Sequence, residues 1–231
     1  MVASFHIADV GIGALARLRP GAVSPNPAGW RYAELAIAAP LGGRLLPRPQ
    51  PGRAVLVAAW DDDDALDRFL AQHPLAARLA GGWHVRLQPT HVFGSWARLP
   101  GLPEREQPMD DEEPAAVLTI GRLRLAQALR FLRASAAAEE LAVGDPALLA
   151  STGLARPPRL LGTFSLWRTT AAMRAYASGR ADPRHNAAAR EHRDRPFHSE
   201  SAFVRFRPYA ARGSWDGRDP LAGVAALAGA A

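Results

Sequence analysis

The sequence predicts an α+β fold, two tandem ferredoxin-like halves closing into one fused, dimeric-type α+β barrel. Three observations predict it. "VRLQPTHVFGSW" at 85–96 and "VRFRPYAARGSW" at 204–215 align without a gap and agree at six of twelve positions. "VAAWDDDDALDRFLAQ" at 57–72 corresponds to "FSLWRTTAAMRAYASG" at 164–179 through the pattern W-x4-A-[LM]-x2-[FY]. "HPLAAR" at 73–78 matches "HNAAAR" at 185–190. The three correspondences are collinear, with offsets of 107, 112 and 119, so the later copy carries small insertions.

Each half reads as strand, helix, strand, strand, helix, strand, the split βαβ order. In the first half strands are expected near 4–9, 31–37, 54–60 and 83–93, with helices near 12–18 and 62–79. In the second, strands are expected near 115–120, 147–154, 161–167 and 201–209, with helices near 123–141 and 169–194. "PRPQP" at 47–51 and "RPP" at 156–158 punctuate the hairpins between middle strands. The Trp that closes each strand-like run precedes apolar residues at helical spacing, which marks a strand feeding an amphipathic helix. The acidic, Pro-containing stretch at 103–114 is the linker, giving halves of 1–105 and 113–222, followed by an apolar tail at 223–231.

Composition narrows the function classes. The 28 basic residues are all arginine, against 22 acidic residues, for a net charge of +6. The arginines are scattered and adjoin the acidic runs Asp61–Asp64 and Asp110–Glu113, a solvated surface rather than a nucleic-acid footprint. No cysteine is present, which excludes disulfides, iron–sulfur ligation and a thiolate-ligated haem. The N-terminus has no charged segment ahead of an apolar run, and "AVLVAAW" at 54–60 is far short of the roughly 20 residues of a membrane span. A cytoplasmic location follows, peripheral to the inner membrane at most, where the apolar tail would touch lipid.

Strand alternation sorts the side chains into faces. Ala202, Val204, Phe206 and Pro208 share one face, as do Val85 with Leu87 and Phe164 with Leu166. These faces are expected to lie under helices. Phe203, Arg205 and Arg207, then His84, Arg86 and Gln88, then Thr163, Ser165 and Trp167, form the opposite face, expected to line the barrel. Two readings of that polar face stay open: a pocket holding water, a polar ligand or a cofactor, or a sheet face meeting solvent.

Individual motifs are mostly uninformative. Gly11, Gly13 and Ala16 with Glu34 match G-x-G-x-x-A on paper, but Pro20 stops the helix such a crossover needs. His185 and His192 are two helical turns apart, about 10 Å, too far to share one zinc ion, and His198 lies beyond Pro196. His185, among small residues, reads either as a structural histidine or as a ligand to something flat.

"TFSLWRTTAAMRAYA" (163–177), "HNAAAR" (185–190), "ESAFVRFRPYAARGSWDGRDPL" (200–221), "AVLVAAW" and "FGSW" together resemble the spheroidene monooxygenase family, from about Trp30 to Leu221. The resemblance implies a haem-dependent enzyme that inserts oxygen from O2 into an acyclic carotenoid to give a keto product, fed by a ferredoxin-like electron donor. It implies His185 as the haem iron ligand. Arg205 or Arg86 would polarise dioxygen or pair with a haem propionate, and Trp167 and Trp215 would wall the cofactor and polyene. Phe197 and His198 stand where the family tends to have Trp-Phe, a departure bearing on substrate choice. The alternative is a cofactor-free small oxygenase or a ligand-binding α+β barrel, with His185 structural.

Overall fold

The computed structural model describes residues 1–13, 27–42, 48–96, 99, 101–103, 105–178 and 195–224. Eight strands follow in chain order: β1 (Val2–Asp9), β2 (Trp30–Ala39), β3 (Gln50–Trp60), β4 (Trp83–Ser95), β5 (Ala115–Leu123), β6 (Leu148–Arg156), β7 (Leu160–Trp167) and β8 (His198–Gly213). Among the described residues four α-helices accompany them: α1 (Asp63–Gln72), α2 (Pro74–Leu79), α3 (Ala128–Val143) and α4 (Thr170–Ala177), with a 3-10 turn at Leu125–Gln127 leading into α3. All eight strands lie where sequence patterning predicts them. The helix expected over 62–79 is divided, because Pro74 opens a new helix and His73 serves both, ending α1 and accepting the Leu75 N–H on Nδ1 at 3.1 Å. Most of the helix expected over 12–18, the far part of that over 169–194, and tail residues 225–231 lie outside the described residues.

The strands pair antiparallel throughout and close into a barrel in the order β1-β3-β2-β6-β7-β5-β8-β4. Residues before the linker supply the run β4-β1-β3-β2, and residues after it supply β8-β5-β7-β6. The β2–β6 seam is short, from Ile37↔Ala155 to Ala39↔Gly153. The β4–β8 seam runs from Trp83↔Gly213 to Ser95↔Ser201, with two register shifts.

The repeated Gly-Ser-Trp closes the barrel ends. Gly94 and Gly213 both have positive φ, 82° and 91°. A Cβ on Gly94 would stand 2.3 Å from the Ser201 carbonyl oxygen, and one on Gly213 would stand 2.0 Å from that of Gly82. Only glycine permits both the turn and the approach. Each turn then sends a tryptophan into the barrel: Trp96 at the Ala3–Tyr32 end, where its indole N–H donates to the Tyr32 hydroxyl at 3.0 Å, and Trp215 at the Ile7–Trp83 end, 5.6 Å from the Trp83 ring.

The expected facing is reversed. The barrel interior holds Phe5, Val57, Val85, Leu87, Leu118, Phe164, Leu166, Val204 and Phe206 in one apolar cluster. His84, Arg86, Ser165, Trp167, Phe203 and Arg205, expected to line the barrel, lie on the outward faces. The reason is desolvation. The enclosed interior offers few partners for charge, while outside it Arg86 meets Asp63 and Asp67 of α1, and Arg205 meets Glu106 of the linker.

Candidate functional site

The two sheet–helix layers are filled differently. Over the first-half strands, Leu35, Leu56, Trp60, Leu66, Phe69, Leu75 and Leu79 interlock into one buried layer beneath α1 and α2. That packing follows from the local sequence: Asp62 caps α1 by accepting the Ala65 N–H at 2.8 Å, and the helix turns Ala65, Leu66 and Phe69 inward. Over the second-half strands the corresponding buried group, among the described residues, is Met109, Ala115, Trp167 and Met173.

Elsewhere the outer face of the second sheet is a floor of small, polar and aromatic residues. Cross-strand register aligns Phe93, Phe203, Thr119 and Thr163 on one rung, across β4, β8, β5 and β7. The next rung holds His91, Arg205, Val117 and Ser165. Phe93 and Phe203 remain 54% and 48% exposed. The His91 ring stands edge-on to Phe93 at 4.2 Å, and its Nδ1 is buried without a hydrogen-bond partner. Such an orphaned atom costs free energy unless a ligand or water meets it.

Helices α3 and α4 lie beside this floor, α3 against β6 and α4 against β7, and bound a candidate cleft. Tyr176 of α4 donates its hydroxyl to the Ala138 carbonyl of α3 at 2.9 Å, tying the helices together. Burial raises the Tyr176 hydroxyl pKa, to about 12, with Glu139 and Asp145 adding to the effect. At the far end the His198 ring rests on Gly121, where a Cβ would come within 2.6 Å of Cδ2, and meets Phe131 of α3 edge-on at 4.9 Å. At the near end Arg207 donates to Glu113 at 2.8 Å and to the Pro108 carbonyl at 2.7 Å, so linker and floor are pinned together. The two guanidiniums here are already paired, Arg205 with Glu106 and Arg207 with Glu113, so what this floor offers a flat, apolar group is two half-exposed rings and an imidazole nitrogen with no protein partner.

The residues singled out from sequence separate. Arg205 and Trp167 share the cleft floor, where the Trp167 N–H donates to Ser165 at 3.0 Å and its ring packs on Tyr176. Arg86 does not join them; it lies under α1, 2.5 Å from Asp63 and in contact with Asp67. Trp215 is on the opposite side of the sheet, inside the barrel, and borders a cavity of about 160 Å³ with Ala150, Ser151, Asp216, Arg218 and Pro220. His185 and His192 lie outside the described residues. Glu34, the acid of the dinucleotide pattern, is buried inside the barrel with Arg156 and Tyr32, and desolvation raises its pKa against the pull of Arg156. Sequence reasoning missed His91, Phe93, Thr119 and the placing of His198 on Gly121. The alternation of His91 with Phe93 was the available signal.

A closed antiparallel barrel with helices outside defines the class, an α+β barrel, and it shares the fold of aldoxime dehydratase, with a TM-score of 0.57 at 11% identity over 90% of this chain and 81% of that one. No family model matches the chain. It is 30% identical over 187 residues to spheroidene monooxygenase of Rhodobacter capsulatus, spanning 78% of this chain and 77% of that protein. It is 32% identical over 176 residues to the spheroidene monooxygenase of Rubrivivax gelatinosus, spanning 74% of this chain and 66% of that protein. The chain belongs to the spheroidene monooxygenase family, and is therefore an O2-dependent oxidoreductase of the monooxygenase type.

Proposed function

We propose that this protein is a haem-dependent monooxygenase that inserts oxygen from O2 into an acyclic carotenoid, and that it is built from tandem ferredoxin-like halves, 1–105 and 113–222. The supporting observation is the unequal filling of the two sheet–helix layers among the described residues: the first is closed by aliphatic and aromatic packing, while the second presents a floor of Thr119, Thr163, Ser165, Phe93 and Phe203. The matching strand orders β4-β1-β3-β2 and β8-β5-β7-β6 support the tandem reading. The relatives' names support spheroidene or a similar polyene as substrate.

In this reading His185 ligates the iron, Phe93 and Phe203 hold the ring faces, and Arg205 exchanges Glu106 for a carboxylate edge of the cofactor. Haem, when bound, supplies the oxygen-activating chemistry. Each insertion consumes one O2, two electrons and two protons and releases one water, a demand met by a ferredoxin-like donor. The chain's own contribution is to hold the cofactor, exclude water from the second layer and seat an apolar substrate beside it. Arg86 and Trp215 have no part in this cleft.

The test is spectroscopic and catalytic. Protein expressed with a haem precursor should show a Soret band that His185→Ala abolishes or weakens, together with loss of keto-carotenoid formation. Full turnover by iron-free protein would overturn the haem assignment and indicate a cofactor-free oxygenase.

A further inference from the structure

Among the described residues, one end of the barrel gathers arginines without carboxylate partners near exposed leucines. Leu125, Leu129 and Arg133 follow one another at four-residue spacing along the outside of the 3-10 turn and α3, and the two leucines are 52% and 63% exposed. Arg124, Arg159 and Arg195 stand on the neighbouring segments and are also exposed. Backbone bonds lock these segments together: the Leu123 N–H donates to the Arg159 carbonyl at 2.8 Å, and the Arg124 N–H donates to the Phe197 carbonyl at 2.8 Å. The Arg124 guanidinium adds a bond to the His198 carbonyl at 3.1 Å. Among the described residues no carboxylate pairs with Arg124, Arg133, Arg159 or Arg195. Several other arginines are neutralised, as Arg53 of β3 is by Asp9 and Asp216, and Arg174 of α4 is by Asp111.

We propose that this end is a docking surface for an anionic phospholipid membrane. Two exposed leucines, on segments joined to those of four arginines without a carboxylate partner among the described residues, combine apolar insertion with attraction to negative headgroups, the two elements of interfacial binding. The helix stripe is polarised in the same sense, with Leu129 and Arg133 near the barrel end and Glu140 at the other end of α3. The surface adjoins His198 and Phe131, which close the far end of the cleft. Docking here brings that end of the cleft against lipid, so the site draws an apolar substrate dissolved in the bilayer. This last step rests on the proposed carotenoid activity; the docking itself does not.

The experiment is flotation of the full chain, without substrate, with vesicles of phosphatidylcholine alone or mixed with phosphatidylglycerol. Wild-type protein should float with the mixed vesicles only, and high salt should release it. The variant R124Q/R133Q/R159Q/R195Q should lower partitioning by about 100-fold or more, and L125S/L129S by about 10-fold or more. R68Q/R78Q, on exposed positions of α1 and α2, should bind like wild type. Circular dichroism melts of each variant report folding separately. Failure of wild type to float, equal binding to neutral vesicles, or full binding by the four-arginine variant each overturns the proposal. So does retention of only an acidic protein partner by this surface. A Soret band or detergent assay that fails while flotation succeeds counts against the haem reading alone.

Discussion

Phe5 and Phe164 stack face to face at the centre of the barrel, their ring centroids 3.8 Å apart and their planes within 9°. One ring comes from β1 and the other from β7, so the contact joins strands on either side of the linker. Both side chains are fully buried, and Phe5 also lies 6.0 Å from the Trp215 ring. Phe164→Ala should cost about 3–5 kcal/mol, as large-to-small core changes of an aromatic do. Urea denaturation checks this, and a loss below about 1 kcal/mol would show that the barrel centre is not packed as described.

The interior also carries charge, at the Trp96 end. The Arg156 guanidinium contacts the buried Glu34 carboxylate, which accepts the Tyr32 hydroxyl at 3.3 Å. Arg122 lies over the Trp96 ring at 5.0 Å and pairs with Glu200 at 3.1 Å. Arg156→Met leaves Glu34 uncompensated and should destabilise the fold by about 3 kcal/mol at neutral pH. Burial already raises the Glu34 pKa. Without Arg156 the carboxyl protonates more readily, so the deficit should shrink as pH falls. E34Q/R156M should recover part of the loss. Equal instability of the single and double variants in urea would sink this account.

How much of this was legible in the sequence depends on what each residue had to decide. Strand positions were legible because Pro47, Pro51 and Pro157 punctuate runs that alternate or stay apolar. The Gly-Ser-Trp repeat pointed to equivalent ends because Gly94 and Gly213 each make a contact no other residue can make. The direction of the faces was not legible. Alternation states that Arg205 and Phe203 share a side, but the concave side is set by closure, through pairs such as Ala38↔Leu154 that lie far apart in the chain. Strand β3 shows the same limit, since Ala54 to Trp60 are buried on both faces and carry no alternation. Of the proposed cleft the sequence singles out Arg205 and Trp167 as candidates, whereas Thr119 and His91 have no signature until register sets them beside Phe203 and Arg205.

Acid should destabilise the fold through a buried histidine of β1. His6 is buried among Ser4, Trp60 and Phe69, and its pKa is lowered to about 3, chiefly by desolvation and further by His84 and Arg86. Ser4 Oγ accepts the Trp60 N–H at 2.9 Å and lies 2.9 Å from Nε2 of His6, an arrangement suited to a neutral ring accepting the hydroxyl proton. The His84 pKa is lowered as well, again mainly by desolvation. Between pH 6.5 and 3 the unfolded chain binds a proton at His6 that the folded chain does not, so stability falls as pH falls through that window. The loss from His6 alone is about 2–3 kcal/mol by pH 4.5. His6→Gln should flatten the dependence of the urea midpoint on pH by that amount. An unchanged slope would mean that His6 is charged in the folded protein.

Phe93 and Phe203 set the last test, because they are opposed across the β4–β8 ladder yet half exposed. Exposed aromatics of this size have no purpose in the barrel core, which lies on the other side of the sheet. Phe203→Ala or Phe93→Ala should therefore change the stability of the cofactor-free chain by less than about 1 kcal/mol. If the two rings grip a flat cofactor, each truncation should speed haem release about tenfold, the worth of one aromatic stacking contact. Thr119→Trp, placed on the same rung, should fill the floor and block loading altogether while leaving the barrel interior untouched. Haem transfer to an apo-acceptor, read at the Soret band beside a urea curve for each variant, separates the two effects. If all three variants load and retain haem as the wild type does, the cofactor lies elsewhere and the open layer over β5, β7 and β8 is not its site.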